Sequence, residues 1–197
     1  MSFQRLLVAN RGEIVVRIAR TARRMGLTVI GICSDADRAA PHVAACDLAM
    51  PIGGNLPGES YLVIERILAA ARESGAQAIH PGYGFLSENA AFARAVRAAG
   101  LVFVGPTAEA IEAMGDKALA RQRMAALAVP VLPGYDGDAQ DDATFEREAA
   151  RIGYPVMIKA AGGAVAAGCG ACTPPPTCAP RSPRRAPKPR PRSATHA

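Results

Sequence analysis

Two kinds of residue in this chain are suited to holding an anionic ligand. Lys117 follows Gly115-Asp116, and Lys159 ends the run Tyr154-Pro-Val-Met-Ile158. An ammonium on a flexible stem is a mobile point charge that suits a polyphosphate. The plain alternative for either residue is a solvated surface lysine. The second kind is the string His80-Pro-Gly-Tyr-Gly-Phe-Leu-Ser-Glu-Asn89. Its glycines let main chain approach a ligand closely. His80 can titrate near neutrality or make a structural hydrogen bond beside the turn. Glu88 can serve simply as an acid favoured near a helix N-terminus.

These residues need elements to position them, and the first 160 residues alternate strand and helix signals. Residues 6–9 form an apolar run, as in a strand covered on both faces. Asn10 with Glu13 three positions on resembles a capping box. Ile14, Val15, Ile18, Ala22 and Met25 recur at helical spacing up to Gly26. Residues 27–33 form the next strand and 34–37 a turn. Residues 61–71 are helical and 76–79 form a strand. Ser87 caps a helix to 98, Gly100 stops it, and 101–104 form another strand. This order predicts a parallel sheet with right-handed crossovers. Ligands gather beyond the carboxyl ends of such strands, where residues 10–13, 34–37 and 80–84 fall. A second unit begins near Thr107. It has a helix over 111–127 interrupted at 115–117, a loop at 130–134, a helix over 142–152, and a strand over 154–159.

Three segments resemble biotin carboxylases, the ATP-dependent enzymes that carboxylate biotin. They are Val8-Ala-Asn-Arg-Gly-Glu-Ile14, the string from His80 to Asn89, and Met114-Gly-Asp-Lys117 together with Gly153-Tyr-Pro-Val-Met-Ile-Lys-Ala160. The resemblance covers residues 3–160. Pro57-Gly-Glu-Ser-Tyr-Leu62 is most similar to alpha subunits of acetyl-, propionyl- or methylcrotonyl-type acyl-CoA carboxylases. The resemblance implies an α/β fold: a Rossmann-like N-terminal domain over 1–106 and the start of an ATP-grasp domain over 107–160; the composition of residues 161–197 predicts a disordered basic tail after them. It implies that Lys117, Lys159, Gly162 and Gly163 contact ATP, and that Tyr83 and Gly84 border the biotin and bicarbonate side. The intact enzyme would use ATP and Mg2+ to activate bicarbonate as carboxyphosphate. It would then carboxylate biotin on a carrier domain, with a carboxyltransferase as further partner. No complete catalytic set and no metal site is expected within this chain, so it is expected to be inactive alone.

The resemblance breaks after Ala161. Where the family has glycines followed by Arg-Gly-Met-Arg, this chain has Gly162-Gly-Ala-Val-Ala-Ala-Gly-Cys-Gly170. Synonymous codons exist for residues 163–170 in which the frame starting at the third base reads Gly-Gly-Gly-Arg-Gly-Met-Arg. The expectation is therefore a frameshifted translation of GC-rich DNA from about residue 163. Residues 161–197 carry six basic and no acidic side chains, whereas 1–160 hold 17 of each sign. The net charge of +6 thus belongs to the tail. Having no Leu, Ile, Met, Phe or Tyr, the tail cannot offset its chain entropy by burial.

Cys169-Gly-Ala-Cys172, with Cys178 and His196, mimics a metal spacing but lacks a second tight pair. The arginines of 181–192 lack the aromatic neighbours of a single-strand binding platform, so no specific nucleic acid is expected. No apolar stretch of about 18 residues suggests a membrane span. The five cysteines do not form a secreted framework, and a cytoplasmic protein is expected. Two other readings stay open: a different ATP-grasp ligase, which residues 153–159 alone would permit, and a non-enzymatic binding protein with a basic arm.

Overall fold

The computed structural model describes residues 3–158 and the backbone of 170–172. The chain divides into two compact units, the first ending at Asp116 and the second beginning at Lys117. The helix at 108–115 belongs to the first unit.

The first unit runs β1 (Arg5–Val8), α1 (Glu13–Arg24), β2 (Thr28–Cys33), α2 (Pro41–Ala44), β3 (Leu48–Pro51), α3 (Ile64–Glu73), β4 (Ala78–His80), α4 (Ala90–Ala98), β5 (Val102–Phe103) and α5 (Ala108–Gly115). Its five strands are all parallel, in the order β3-β2-β1-β4-β5. The chain moves outward from β1 to β3, then returns past β1 to β4 and β5. Right-handed crossovers in the two directions place helices on opposite faces. The core shows this division. Leu6, Val8, Val29 and Ala78 pack with Ile14, Val15, Ala19 and Ala22 of α1. Leu7, Ile30, Ile32, Ile79 and Phe103 pack with Ile67 of α3, Phe92 and Val96 of α4, and Ile111 of α5. The two sets alternate along β1, β2, β4 and β5, which explains the unbroken apolar runs in the sequence. Leu7, Ile30, Ile67 and Phe92 are fully buried, each worth roughly 1.5–3 kcal/mol in water exclusion.

Several boundaries differ from the sequence reading. The N-cap of α1 is Gly12, not Asn10, because the Asn10 side chain is used elsewhere. The cap of α4 is Asn89, whose Oδ1 accepts from Phe92 N at 2.9 Å; Ser87 lies in the turn before it. The helix expected from residue 61 starts at Ile64, leaving Tyr61 free to point its hydroxyl at a turn. Strand β3, the short run Leu48-Ala-Met-Pro51, has no counterpart in the sequence reading and ends in Pro51. Proline is tolerated there because the strand lies at the sheet edge. Gly31 of β2 faces β3's approach, and a Cβ there would stand 2.7 Å from Cys46 Sγ.

The second unit contains α6 (Lys117–Ala126), α7 (Asp142–Ile152) and an antiparallel pair, β6 (Val156–Ile158) with β7 (Gly170–Cys172). The Asp141 side chain caps α7 by accepting from Thr144 N, and Gly153 ends the helix at φ 92°. The helical stretch expected over 111–127 with an interruption at 115–117 is two helices, α5 and α6, that break at Asp116. β7 has no counterpart in the sequence reading. Lys159, Gly162, Gly163, the Cys169/Cys178/His196 spacing and the arginine tract lie outside the described residues.

Candidate functional site

The strand order reverses direction at β1, so the crevice beyond the carboxyl ends of β1 and β4 is the topological switch point of the sheet. Open parallel sheets bind ligands at such crevices. Two turns meet there: residues 9–13 after β1, and residues 80–87 after β4. Ala9 N donates to His80 O at 2.8 Å, which extends the pairing one step beyond the strands.

Asn10 joins the two turns. It is 3% exposed. Its Oδ1 accepts from Arg11 N at 2.9 Å, and its Nδ2 donates to Pro81 O and Tyr83 O, both at 2.8 Å. Gly82 sits directly against it. A Cβ on Gly82 would stand 2.7 Å from Asn10 Nδ2, and the residue holds φ +68°, a left-handed conformation that favours glycine. Within the loop, Gly82 N donates to His80 Nδ1 at 2.9 Å. An accepting Nδ1 belongs to the neutral ring, and burial lowers the His80 pKa in the same direction. His80 therefore braces the turn.

Arg11 makes a second link. Its guanidinium carbon lies 5.5 Å from the Tyr61 ring centre and 5.6 Å from that of Phe85. The two rings stack with centres 5.3 Å apart. Phe85 holds φ 44°, unusual for a bulky residue. Arg11 also reaches Asp37 Oδ2 at 3.3 Å. That oxygen accepts from Tyr61 OH at 2.7 Å and from Ser34 Oγ at 2.9 Å. Burial works against the Asp37 carboxylate, but hydrogen bonds from Tyr61, Ser34 and Arg11 together hold its pKa below the usual range. Burial likewise pushes the Tyr61 hydroxyl up to about 12, so it remains a donor.

Tyr83 and Gly84 form the outer face of this assembly. Tyr83 is 61% exposed, and its hydroxyl donates to Glu13 Oε1 at 2.7 Å. The space where a Gly84 Cβ would stand is open. Beside the clasp, a cleft of about 700 Å3 is lined by Arg11, Glu13, Arg17, Arg20, Asp37 and His42 among others. Its two carboxylates are already engaged, Asp37 by Arg11 and Glu13 by Tyr83. Lys117 is the first residue of α6, in the second unit. Among the described residues no group of three or more His, Cys, Asp or Glu side chains could hold a metal. No described helix is long and apolar enough to cross a membrane.

The sequence reading singled out Tyr83 and Gly84 but missed how they are held. Asn10 was taken for a helix cap, and Arg11, Asp37 and Tyr61 were given no joint role. The available signal was their position: residues 10–13 and 34–37 fall at the ligand edge of a parallel sheet. Their mutual contacts bridge about 25 to 75 residues of sequence, and no local pattern encodes them.

The parallel sheet, its switch point and its glycine-rich loop define a doubly wound α/β ligand-binding domain. Residues 2–111 match the family described as biotin carboxylase, N-terminal domain, and residues 116–178 match the carbamoyl-phosphate synthase L chain ATP-binding domain. The chain belongs to the biotin carboxylase family.

A propionyl-CoA carboxylase alpha chain from Ruegeria pomeroyi is 50% identical over 161 residues, covering 82% of this chain and 24% of the relative. The mitochondrial methylcrotonoyl-CoA carboxylase subunit alpha of Glycine max is 54% identical over 156 residues, covering 79% and 21%. A biotin carboxylase from Haemophilus influenzae is 48% identical over 161 residues, covering 81% and 36%. Among solved structures, the biotin carboxylase domain of the Hydrogenobacter thermophilus 2-oxoglutarate carboxylase, in complex with MgADP and bicarbonate, is similar with a TM-score of 0.78. It is 44% identical and covers 87% of this chain and 38% of its own. The Campylobacter jejuni biotin carboxylase, in a β,γ-ATP complex, also has a TM-score of 0.78, with 42% identity over 86% and 38%. The chain thus spans between about a fifth and two fifths of the lengths of these proteins.

Proposed function

We propose that this chain supplies the N-terminal domain and the entry to the ATP-binding module of a biotin carboxylase, within an acyl-CoA carboxylase of the acetyl, propionyl or methylcrotonyl type. The reaction class is ATP-dependent carboxylation of biotin by bicarbonate. The observation that carries the reading is the loop at residues 80–87, which is pinned from beneath at the switch point while Tyr83 and Gly84 stand open above it. Support comes from the named relatives, which are propionyl-CoA and methylcrotonoyl-CoA carboxylase alpha chains and biotin carboxylases.

On this reading Tyr83 and Gly84 border the biotin and bicarbonate side. An exposed aromatic ring and an uncovered stretch of main chain fit an apolar fused ring that carries a polar ureido group. Bound biotin would supply the nitrogen that accepts the carboxyl group. Lys117, Lys159, Gly162 and Gly163 are proposed to contact ATP, and Mg2+ would accompany the nucleotide. Lysine ammonium groups would neutralise phosphate charge, and glycine N–H groups would close on phosphate oxygens. His80, neutral and accepting from Gly82 N, holds the loop's shape and is not assigned a proton transfer. The proposed partners are a biotin carboxyl carrier and a carboxyltransferase.

The proposal is tested by replacing the matching N-terminal segment of the Haemophilus influenzae biotin carboxylase with residues 1–116 of this chain. Biotin- and bicarbonate-dependent ATP hydrolysis by the folded chimera supports the reading. A folded chimera that binds ATP but hydrolyses it independently of biotin contradicts it. The 197-residue chain alone is expected to show no such turnover.

A further inference from the structure

We propose that Asn10 is a positioning residue: its carboxamide fixes the main chain that carries Tyr83 and Gly84, and so sets the geometry of the biotin side. The inference rests on the biotin carboxylase reading of that loop and deepens it. Asn10 is polar yet 3% exposed, and its carboxamide is used on both sides. Oδ1 holds the start of its own turn through Arg11 N at 2.9 Å. Both Nδ2 hydrogens cross to the other turn, to the carbonyls of Pro81 and Tyr83 at 2.8 Å each. Of the two standard amide side chains, only asparagine is short enough to do this so near its own backbone. The other turn is shaped to receive it, because Gly82 has no Cβ where one would meet Nδ2 at 2.7 Å. The Tyr83 carbonyl is thereby turned inward, and the next peptide N–H, that of Gly84, is oriented by the same planar unit. Asn10 touches the loop from beneath while the Tyr83 ring is exposed. Its effect on a ligand is therefore exerted through the loop.

Two substitutions separate positioning from general stability. Asn10→Asp keeps the shape and the acceptor for Arg11 N, but its carboxylate has no hydrogen for the two carbonyls. Amide hydrogen exchange at residues 82–86 should rise about tenfold at pH 7, the size expected from losing buried hydrogen bonds, with β1 and β2 amides unchanged. Acidification that protonates the introduced carboxyl returns one donor and should reverse part of the rise. Unchanged exchange in the loop, or an equal rise across β1 and β2, overturns the proposal. Should Asn10→Asp not fold, the unsubstituted chain still decides. Its two Asn10 Nδ2 protons should exchange slowly with solvent, and fast exchange overturns the clasp. In the chimera described above, Asn10→Asp should raise the KM for biotin several-fold and leave the KM for ATP unchanged; equal effects on both overturn the positioning role. The exchange measurements need no biotin. A clasp that behaves as proposed in a chimera indifferent to biotin would sink the biotin carboxylase reading and not the clasp.

Discussion

The Tyr61 hydroxyl donates to Asp37 Oδ2 at 2.7 Å, and the same oxygen accepts from Ser34 Oγ and Arg11. One carboxylate oxygen thus gathers the turn after β2, the segment before α3 and the turn after β1. Through Arg11, which lies over both Tyr61 and Phe85, the gathering extends to the loop after β4. The ligand edge of the sheet is one connected polar and aromatic assembly.

Removing the Tyr61 hydroxyl tests that connection. Tyr61→Phe keeps the ring stacked on Phe85 but leaves Asp37 and Ser34 N each short of a partner. The expected cost is about 1–3 kcal/mol. Thermal unfolding should show a midpoint lowered by about 2–6 °C for each kcal/mol. A midpoint within a degree of the parent would mean that the hydroxyl is idle.

The stability of the first unit should decline with acidity in two ranges. The His80 pKa is lowered by burial, so the folded state disfavours its protonation. Between the folded value and the unfolded value of about 6.5, the unfolded chain binds more protons. The His80 contribution is therefore complete above that value and is lost as pH falls through the folded pKa. Asp37 is lowered as well, its three hydrogen-bond donors outweighing burial. Its contribution is present above the unfolded value of about 3.9 and is lost as pH falls further. Urea midpoints from pH 8 to pH 3 check both ranges. His80→Gln should flatten the upper one.

Phe92 is fully buried and meets Phe103 edge to face, with ring centres 5.9 Å apart. Phe92→Ala should cost about 3–5 kcal/mol, a large fraction of the stability of a domain this size. Chemical denaturation with the slope held fixed measures it. A loss below about 1 kcal/mol would contradict the packing described for that face.

Cys46 is half-buried, and its thiol is pushed up to about 11, chiefly by burial. Its Sγ–H donates to His42 O at 3.2 Å. Reactivity follows the thiolate, so alkylation of Cys46 at pH 7 should be slow in the folded chain and fast in denaturant. Peptide mass mapping after timed iodoacetamide treatment reads this directly. Rapid labelling of Cys46 in the folded chain would contradict its placement beneath β2.

Much of the sheet was legible because a parallel strand covered on both faces writes a continuous apolar run. Residues 6–9, 27–33 and 76–79 each announced a strand in this way. Strand β3 did not, because its apolar run, Leu48-Ala-Met50, is short and leads into Pro51, which argues against a strand in sequence. Asn10 was misread for a physical reason. Asparagine before a helix is chemically equipped to cap it, and only the fold reveals a better partner 71 and 73 residues away. Tyr83 and Gly84 were singled out through the resemblance of the string around them. The clasp of Asn10, Arg11, Asp37 and Tyr61 was not, because three turns separated in sequence must first be brought to one edge by the strand order.

The most direct test of the central claim is the kcat/KM for biotin in the chimera with and without Tyr83→Ala, with the KM for ATP followed in parallel. The account predicts a loss of about tenfold or more in the biotin parameter, equivalent to about 1.4 kcal/mol of transition-state binding, and an unchanged KM for ATP. An unchanged biotin parameter, or an equal loss for both substrates, would contradict the placement of the biotin side on the loop after β4.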